Sequence, residues 1–291
     1  MTKNILITGA NGQDGKIILD KLRKKKFNLF LIARSFQKKV KRKNIKYFKF
    51  DLKEKKKIVN LLKNNKIDII LHLASNNPNY GQNSYQKHFV ENVNNSKNLI
   101  NNSIVYNDKI KFISCSSSRI FSKKNGIVNE KSSVLENDHY SKFRIAINNH
   151  LIRTKKNNKN FDFTNIILFN HDSVNRSERF LLPKIITALI SKDNEFIKMI
   201  IDENISMDYS HAEDICNGII KVTLTKKKID KIILSSGKKT LINDVIKFLI
   251  KKKNLNMKLK FKKLKKSNCV IGNNHYAKKI INYKIKKNIF L

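Results

Sequence analysis

Residues 1–15 read Met1-Thr2-Lys3-Asn4-Ile5-Leu6-Ile7-Thr8-Gly9-Ala10-Asn11-Gly12-Gln13-Asp14-Gly15, and this stretch decides the fold. The apolar run Ile5-Leu6-Ile7 has the character of a buried strand. It enters a turn carrying Gly9, Gly12 and Gly15, and Ile17, Ile18, Leu19 and Leu22 then follow a helical pattern. A strand, a glycine turn and a helix N-terminus in that order form a cradle for the pyrophosphate of a dinucleotide. Gly9 permits the tight turn, Gly12 lets backbone N–H groups approach the phosphates, and Gly15 lets the helix pack close to the sheet. The spacing is G-x-x-G-x-x-G rather than G-x-G-x-x-G. It gains weight because three of the chain's eight glycines fall here.

Working outward, Leu29–Ala33 reads as a second strand, ending at Arg34 and Ser35. An acidic residue at this end would hold a free ribose 2′-hydroxyl. Arg34, with Lys38, Lys39 and Arg42 nearby, favours a 2′-phosphate instead, so the expected cofactor is NADP(H). Tyr47, Phe48 and Phe50 form a third strand, followed by Asp51 and Leu52, where Asp51 is placed to accept from an adenine amino group. A helix is expected over 54–64. Ile67–Leu73 reads as a buried parallel strand that opens into Leu73-Ala74-Ser75 beside the cofactor. Helices over 84–104 and 140–153 alternate with strands over 110–115 and 163–169. That alternation predicts a Rossmann-type, doubly wound parallel α/β sheet with ligands at the strand carboxyl ends.

After about residue 170 the rhythm changes. Helices are expected over 181–192, 211–225 and 240–252, with strands over 196–201 and 232–234 and a Lys-rich amphipathic stretch over 253–266. The expected organisation is an NADP-binding Rossmann domain over 1–170. Residues 171–291 then form mainly a smaller α+β substrate-binding lobe, interleaved with the first domain.

The composition bounds the rest. The 291 residues carry 62 Lys and Arg against 22 Asp and Glu, a formal net charge of +40. Such a charge suggests nucleic acid or an anionic membrane. The lysines, however, are dispersed along a chain rich in Asn and Ile, with no aromatic-basic recognition motif, so neither partner is expected. The three cysteines, Cys115, Cys216 and Cys269, lie far apart and form no metal-binding pattern; they read as buried thiols in a reducing, cytoplasmic setting. No apolar run is long enough to span a bilayer.

With these motifs in hand, the chain resembles the extended short-chain dehydrogenases/reductases, and within them the GDP-mannose 4,6-dehydratases. The resemblance rests on Gly9–Gly15 with its Gln13-Asp14 pair and on Arg34-Ser35. It extends through Leu168-Phe169-Asn170-His171-Asp172-Ser173 with Arg176, Glu178, Phe180 and Lys184, and through Asp208-Tyr209-Ser210-His211-Ala212-Glu213-Asp214. A closing element runs from Gly272 through Ala277-Lys278-Lys279 to Asn282-Tyr283-Lys284.

The resemblance implies a nucleotide-sugar substrate, NADP and a homodimer formed through the 84–104 and 140–153 helices. Its cofactor contacts fall on Gly9, Asn11, Gly12, Gln13, Asp14, Gly15, Arg34, Asp51, Leu52, Leu73, Ala74, Tyr140, Arg144, His171 and Arg176. Ser117, Asn170 and Lys184 would serve the substrate. The implied reaction oxidises C4, eliminates water across C5 and C6, and reduces C6. Tyr140 would be the acid/base, Ser117 the hydroxyl at the C4 oxygen, and Arg144 the cation that lowers the phenol's pKa.

The chain departs from that pattern at three positions. Arg144 replaces a Lys, Met207 replaces an Arg, and Arg119 stands where the family has the Glu that abstracts the C5 proton. An Arg cannot abstract a proton; Glu136 and Asp138 are the carboxylates nearest in sequence. Three readings therefore stay open: a dehydratase, a 4-keto-sugar reductase or epimerase, and a binder of NADP or a nucleotide sugar without turnover.

Overall fold

The computed structural model describes residues 2–37, 39–78, 86–122, 124, 126–257, 259–261 and 269–287. Lys38, the first two residues of the expected 84–104 helix, and Lys258 and residues 262–268 (262–266 within the expected Lys-rich stretch) lie outside them. In chain order the elements of the first part are β1 (Lys3–Thr8), α1 (Gln13–Leu22), β2 (Phe27–Ala33), β3 (Ile45–Lys49), α2 (Lys55–Asn64), β4 (Ile69–His72), α3 (Gln86–Tyr106), β5 (Lys111–Ser117), β6 (Ile127–Val128), α4 (His139–Asn157) and β7 (Asp162–Leu168). They are followed by β8 (Asn170–Asp172), α5 (Leu181–Ser191), α6 (Asn194–Glu203), β9 (Ser206–His211), α7 (Ala212–Leu224), β10 (Lys231–Leu234), β11 (Lys239–Leu241), α8 (Ile242–Lys252), β12 (Ile271–Gly272) and α9 (His275–Ile281).

Seven strands form one parallel sheet in the order β10-β7-β5-β4-β1-β2-β3. The apolar runs read from the sequence are its buried strands: Ile5, Leu6, Ile7, Leu29, Leu31, Ile70 and Leu71 are wholly inaccessible. One face of the sheet packs on α1, α7 and the α9 segment through Ile18, Leu22, Ile215, Ile219, Ala277 and Tyr283. The opposite face packs on α2, α3 and α4 through Ile58, Leu61, Leu99, Ile100, Phe143 and Leu151. Both faces are thus covered, as an all-parallel sheet requires. The strand order reverses between β1 and β4, which opens a crevice at their carboxyl ends.

A separate apolar cluster joins α5, α6 and α8 through Ile185, Leu189, Ile197, Ile200, Ile201, Val245 and Ile246. Beside it lies a three-stranded sheet, β11-β9-β8. β10 and α7, although beyond residue 170, belong to the main sheet and its helical layer.

The sequence reading errs at 196–201. Phe196, Ile197, Met199, Ile200 and Ile201 look like a strand, but they lie within the helix α6. Two local facts decide it. Asp193 caps the helix, its carboxylate accepting from the Phe196 N–H at 3.0 Å. The buried residues Ile197, Ile200 and Ile201 also fall at i, i+3 and i+4, the period of one helical face. Cys269 is a second correction. Cys115 and Cys216 are buried, but Cys269 is partly exposed on a short segment outside the sheet core; all three thiols are free.

Candidate active site

The turn after β1 is backbone-limited. Gly9 has φ +70°, and a Cβ there would come within 2.8 Å of the Ala74 nitrogen. A Cβ at Gly15 would meet the Gly9 carbonyl oxygen at 2.6 Å and Ala10 backbone at 2.7 Å. Gly12, whose N–H donates to the Gly9 carbonyl at 2.9 Å, is the N-cap of α1 and supplies no side-chain cap. The helix therefore begins with uncapped N–H groups in the crevice, an arrangement that favours an anion.

A cleft of about 680 Å³ opens over this turn. Among its lining residues are Gly9, Asn11, Gly12, Gln13, Asp14, Gly15, Arg34, Asp51, Leu52, Leu73, Ala74 and Arg176. These are twelve of the fifteen cofactor positions expected from the sequence. Tyr140, Arg144 and His171 do not line it, nor do Ser117, Asn170 and Lys184. The glycine turn, the uncapped helix and Arg34, all lining one cleft, suit a dinucleotide laid along the sheet edge.

Gln13 and Asp14 join the two parts of the chain. The Gln13 side-chain oxygen accepts from the Ser173 N–H at 2.9 Å, and its amide donates to the His171 carbonyl at 3.3 Å. His171 Nδ1 lies 2.7 Å from the Phe169 carbonyl oxygen and Nε2 lies 3.1 Å from Asp14 Oδ1; both partners are acceptors, so the ring serves them both as the doubly protonated imidazolium. Burial alone would raise the Asp14 pKa, but the His171 charge and hydrogen bond dominate and bring it to about 2. Burial likewise disfavours the imidazolium, yet Asp14 holds His171 above its ordinary value. The pair is a buried ion pair beneath the glycine turn; His171 acts there on α1.

The end of β4 is fixed in the same way. His72 sits between Thr8 Oγ1 at 2.8 Å and Ser96 Oγ at 2.9 Å. Burial, aided by the Arg144 charge, drops its pKa to about 3, so it is neutral. Asn92 holds the following loop with both ends of its amide, accepting from the Asn76 N–H at 2.9 Å and donating to the Asn76 carbonyl at 3.1 Å.

The second constellation lies where β5 ends and α4 begins. Ser117 is the last residue of β5, and Tyr140 is in the first turn of α4. The Tyr140 phenol is hydrogen-bonded to Ser117 and receives an Arg144 N–H at 3.2 Å. Arg144 also donates to the Cys115 carbonyl and, at 3.4 Å, to Asn77, a cleft residue. Helical geometry places residues four apart on one face, which is why Arg144 reaches the phenol and Lys142, exposed, does not. Burial pushes the phenol's pKa up, but the Arg144 charge and hydrogen bond, the Ser117 hydrogen bond and the Arg119 charge outweigh it and hold it below the usual tyrosine value.

Arg119 sits 5.1 Å from the Tyr140 ring centroid and is paired with Asp138. Asp138 is also the α4 N-cap, accepting from the Ser141 N–H at 2.7 Å in a capping box. Both of its oxygens are thus engaged, and Glu136 is exposed on the preceding loop. Asn170 is exposed on β8, and Lys184 lies on α5. The Asp208–Asp214 motif is architectural: the Asp208 carboxylate accepts from the N–H groups of Ser236 at 2.8 Å, Gly237 at 3.0 Å and Gly272 at 3.1 Å.

A family model for the NAD dependent epimerase/dehydratase family matches residues 5–234. The chain belongs to this family. Among solved structures, a UDP-glucose 4-epimerase from Thermotoga maritima is similar at TM-score 0.83 and 16% identity, over 99% of this chain and 95% of that one. A UDP-glucuronic acid 4-epimerase from Bacillus cereus, in complex with UDP-glucuronic acid and NAD, has TM-score 0.81 and 18% identity over the same shares, 99% and 95%. DesIV from Streptomyces venezuelae, a dTDP-glucose 4,6-dehydratase with NAD bound, has TM-score 0.80 and 13% identity over 98% and 93%. A search of curated proteins found no match. Among the described residues no helix is long and apolar enough to cross a membrane, and no group of three His, Cys, Asp or Glu is placed to hold a metal.

In this epimerase/dehydratase-family chain the crevice lies at the β1/β4 reversal. Sequence reasoning missed part of the crevice wall, namely Lys16, Gln37, Asn77, Asn175, Arg179 and Phe180. Phe180 belongs to the motif that carried the resemblance. Arg176 and Arg179, three residues apart beside it, were the available signal for a cationic wall.

Proposed function

We propose that the chain is an NADP(H)-dependent oxidoreductase acting at C4 of a nucleotide sugar, as a 4-keto-sugar reductase or a 4-epimerase. One observation carries the reading: the Ser117–Tyr140–Arg144 constellation is assembled, while Asp138, a carboxylate paired with the Arg119 that stands over the Tyr140 ring, is committed to that arginine and to a helix cap. The constellation suits proton transfer at a hydroxyl; an elimination needs a free carboxylate base. A dinucleotide held by the glycine turn and Arg34 would supply hydride exchange at C4. Tyr140 takes the C4 hydroxyl proton in oxidation and gives it back in reduction. Ser117 holds the C4 oxygen against the phenol. Arg144 stabilises the phenolate and, having no accessible neutral form, leaves proton relay to other groups. The NADP(H) preference rests on Arg34 at the end of β2, where an acidic side chain would favour NAD. The same reading has two copies pairing through α3 and α4, whose outward sides expose Val90, Val105 and Ile152.

A second reading, dehydration of GDP-mannose, is favoured by the motif around Asn170–Lys184. Purified protein given GDP-mannose and NADP+, or a 4-keto nucleotide sugar and NADPH, separates the two. The expected result is cofactor oxidation with the 4-keto sugar and no 4-keto-6-deoxy product from GDP-mannose. Formation of that product above a Tyr140→Phe control would reverse the order of the two readings.

A further inference from the structure

The cleft has a second cationic wall. Arg34, Lys16 and Gln37 line it from the β1–β2 side; Arg176, Arg179 and Phe180 line it from the segment between β8 and α5. The Phe180 ring holds both arginines of that segment, with guanidinium carbons 3.6 Å (Arg176) and 5.2 Å (Arg179) from its centroid. Arg176 is neutralised by Asp172 at 2.8 Å. Among the described residues neither Arg34 nor Arg179 makes an ion pair. Two guanidiniums without ion-pair partners, lining one cleft from different segments of the chain, repel each other, and an anion between them relieves that repulsion. Partial desolvation, followed by the charges of Arg176 and Arg34, holds the Arg179 pKa below the usual guanidinium value, in keeping with that crowding.

We propose that Arg34 and Arg179 close from opposite sides on one phosphomonoester, the 2′-phosphate of the cofactor's adenosine. The proposal rests on the NADP(H) reading above and adds a residue to it. A phosphomonoester offers three terminal oxygens, enough for planar forks from both sides, whereas a lone ribose hydroxyl cannot satisfy two guanidiniums. Because Arg179 lies beyond β8, the same phosphate would tie the second part of the chain to the Rossmann sheet.

The test is calorimetric titration of the full chain with adenosine 2′,5′-diphosphate and with 5′-AMP, which differ only in the 2′-phosphate. The wild-type chain should prefer the diphosphate by about tenfold or more. Arg179→Gln and Arg34→Gln should each weaken the diphosphate about tenfold and leave 5′-AMP within about twofold, with non-additive losses in the double variant. Lys226→Gln, on the loop before β10 at the opposite end of the sheet, should move neither, which separates a site from the general field of the +40 chain. If the wild type shows no preference, the NADP(H) reading fails and the clamp with it. If the preference stands and depends on Arg34 while Arg179→Gln changes neither ligand, or both equally, the clamp alone is overturned. Both arginines are exposed, so an unchanged thermal unfolding midpoint is expected to show that the variants are folded.

Discussion

The glycine turn after β1 and the Ser117–Tyr140 corner after β5 lie at the carboxyl ends of the same sheet but are built from different materials. The turn is shaped by backbone: at Gly9 and Gly15 there is no room for a methyl group. The corner is shaped by charge, with one phenol between two guanidiniums at 5.1 Å each. Substitution has touched the two unequally. The turn keeps every glycine its geometry requires. At the corner, Arg stands at both positions where the dehydratase pattern has Lys and Glu. Steric requirements admit one residue. An electrostatic requirement, such as a cation beside a phenol, admits two, and the choice changes which chemistry is open.

Four substitutions break or sharpen this contrast. The largest effect is expected from Tyr140→Phe, which removes the proton-transfer group and leaves the turn intact. Single-turnover cofactor oxidation should fall about a thousandfold, while calorimetric cofactor affinity stays within about twofold. Comparable losses in both would mean that the corner and the turn are not separable. Next is Gly15→Ala, which should destabilise the chain by about 2 kcal/mol in denaturant unfolding, since the atoms it would meet are backbone and cannot swing aside. Gly12→Ala, whose Cβ would meet only the Gly9 oxygen at 3.2 Å, should cost clearly less. Equal costs would locate the constraint elsewhere.

The smallest effect is expected from Arg144→Met. Oxidation at C4 needs the phenolate, so its rate climbs as pH rises through the phenol's pKa, which Arg144 helps to hold below the ordinary value. Removing that charge and hydrogen bond moves the climb to higher pH and lowers turnover at neutral pH by about tenfold. A pH–rate profile that does not move would show that Arg144 does not tune the phenol.

The buried parallel strands were legible because a strand covered on both faces reads as an unbroken apolar run. Leu29–Ala33 and Ile69–Leu71 needed no tertiary information. The 196–201 segment was not legible as a helix from composition, since Ile and Phe suit either state; its Asp193 cap and i, i+3, i+4 burial carried the information. His171 looked like a cofactor ligand within its motif, and the fold instead spends it on Asp14, 157 positions away.

By itself the sequence determined the βα architecture, the glycine turn, the arginine at the end of β2 and the Tyr140–Arg144 pairing. These depend on contacts within one element or one turn, whose spacing along the chain fixes their spacing in space. Only the tertiary structure decided that β10 and α7 return to the main sheet, that Asp138 is already committed to a cap and to Arg119, and that Arg179 and Arg34 line the same cleft. Each of these joins residues distant in sequence, and such a meeting is set by how the hydrophobic faces pack, which no local pattern encodes.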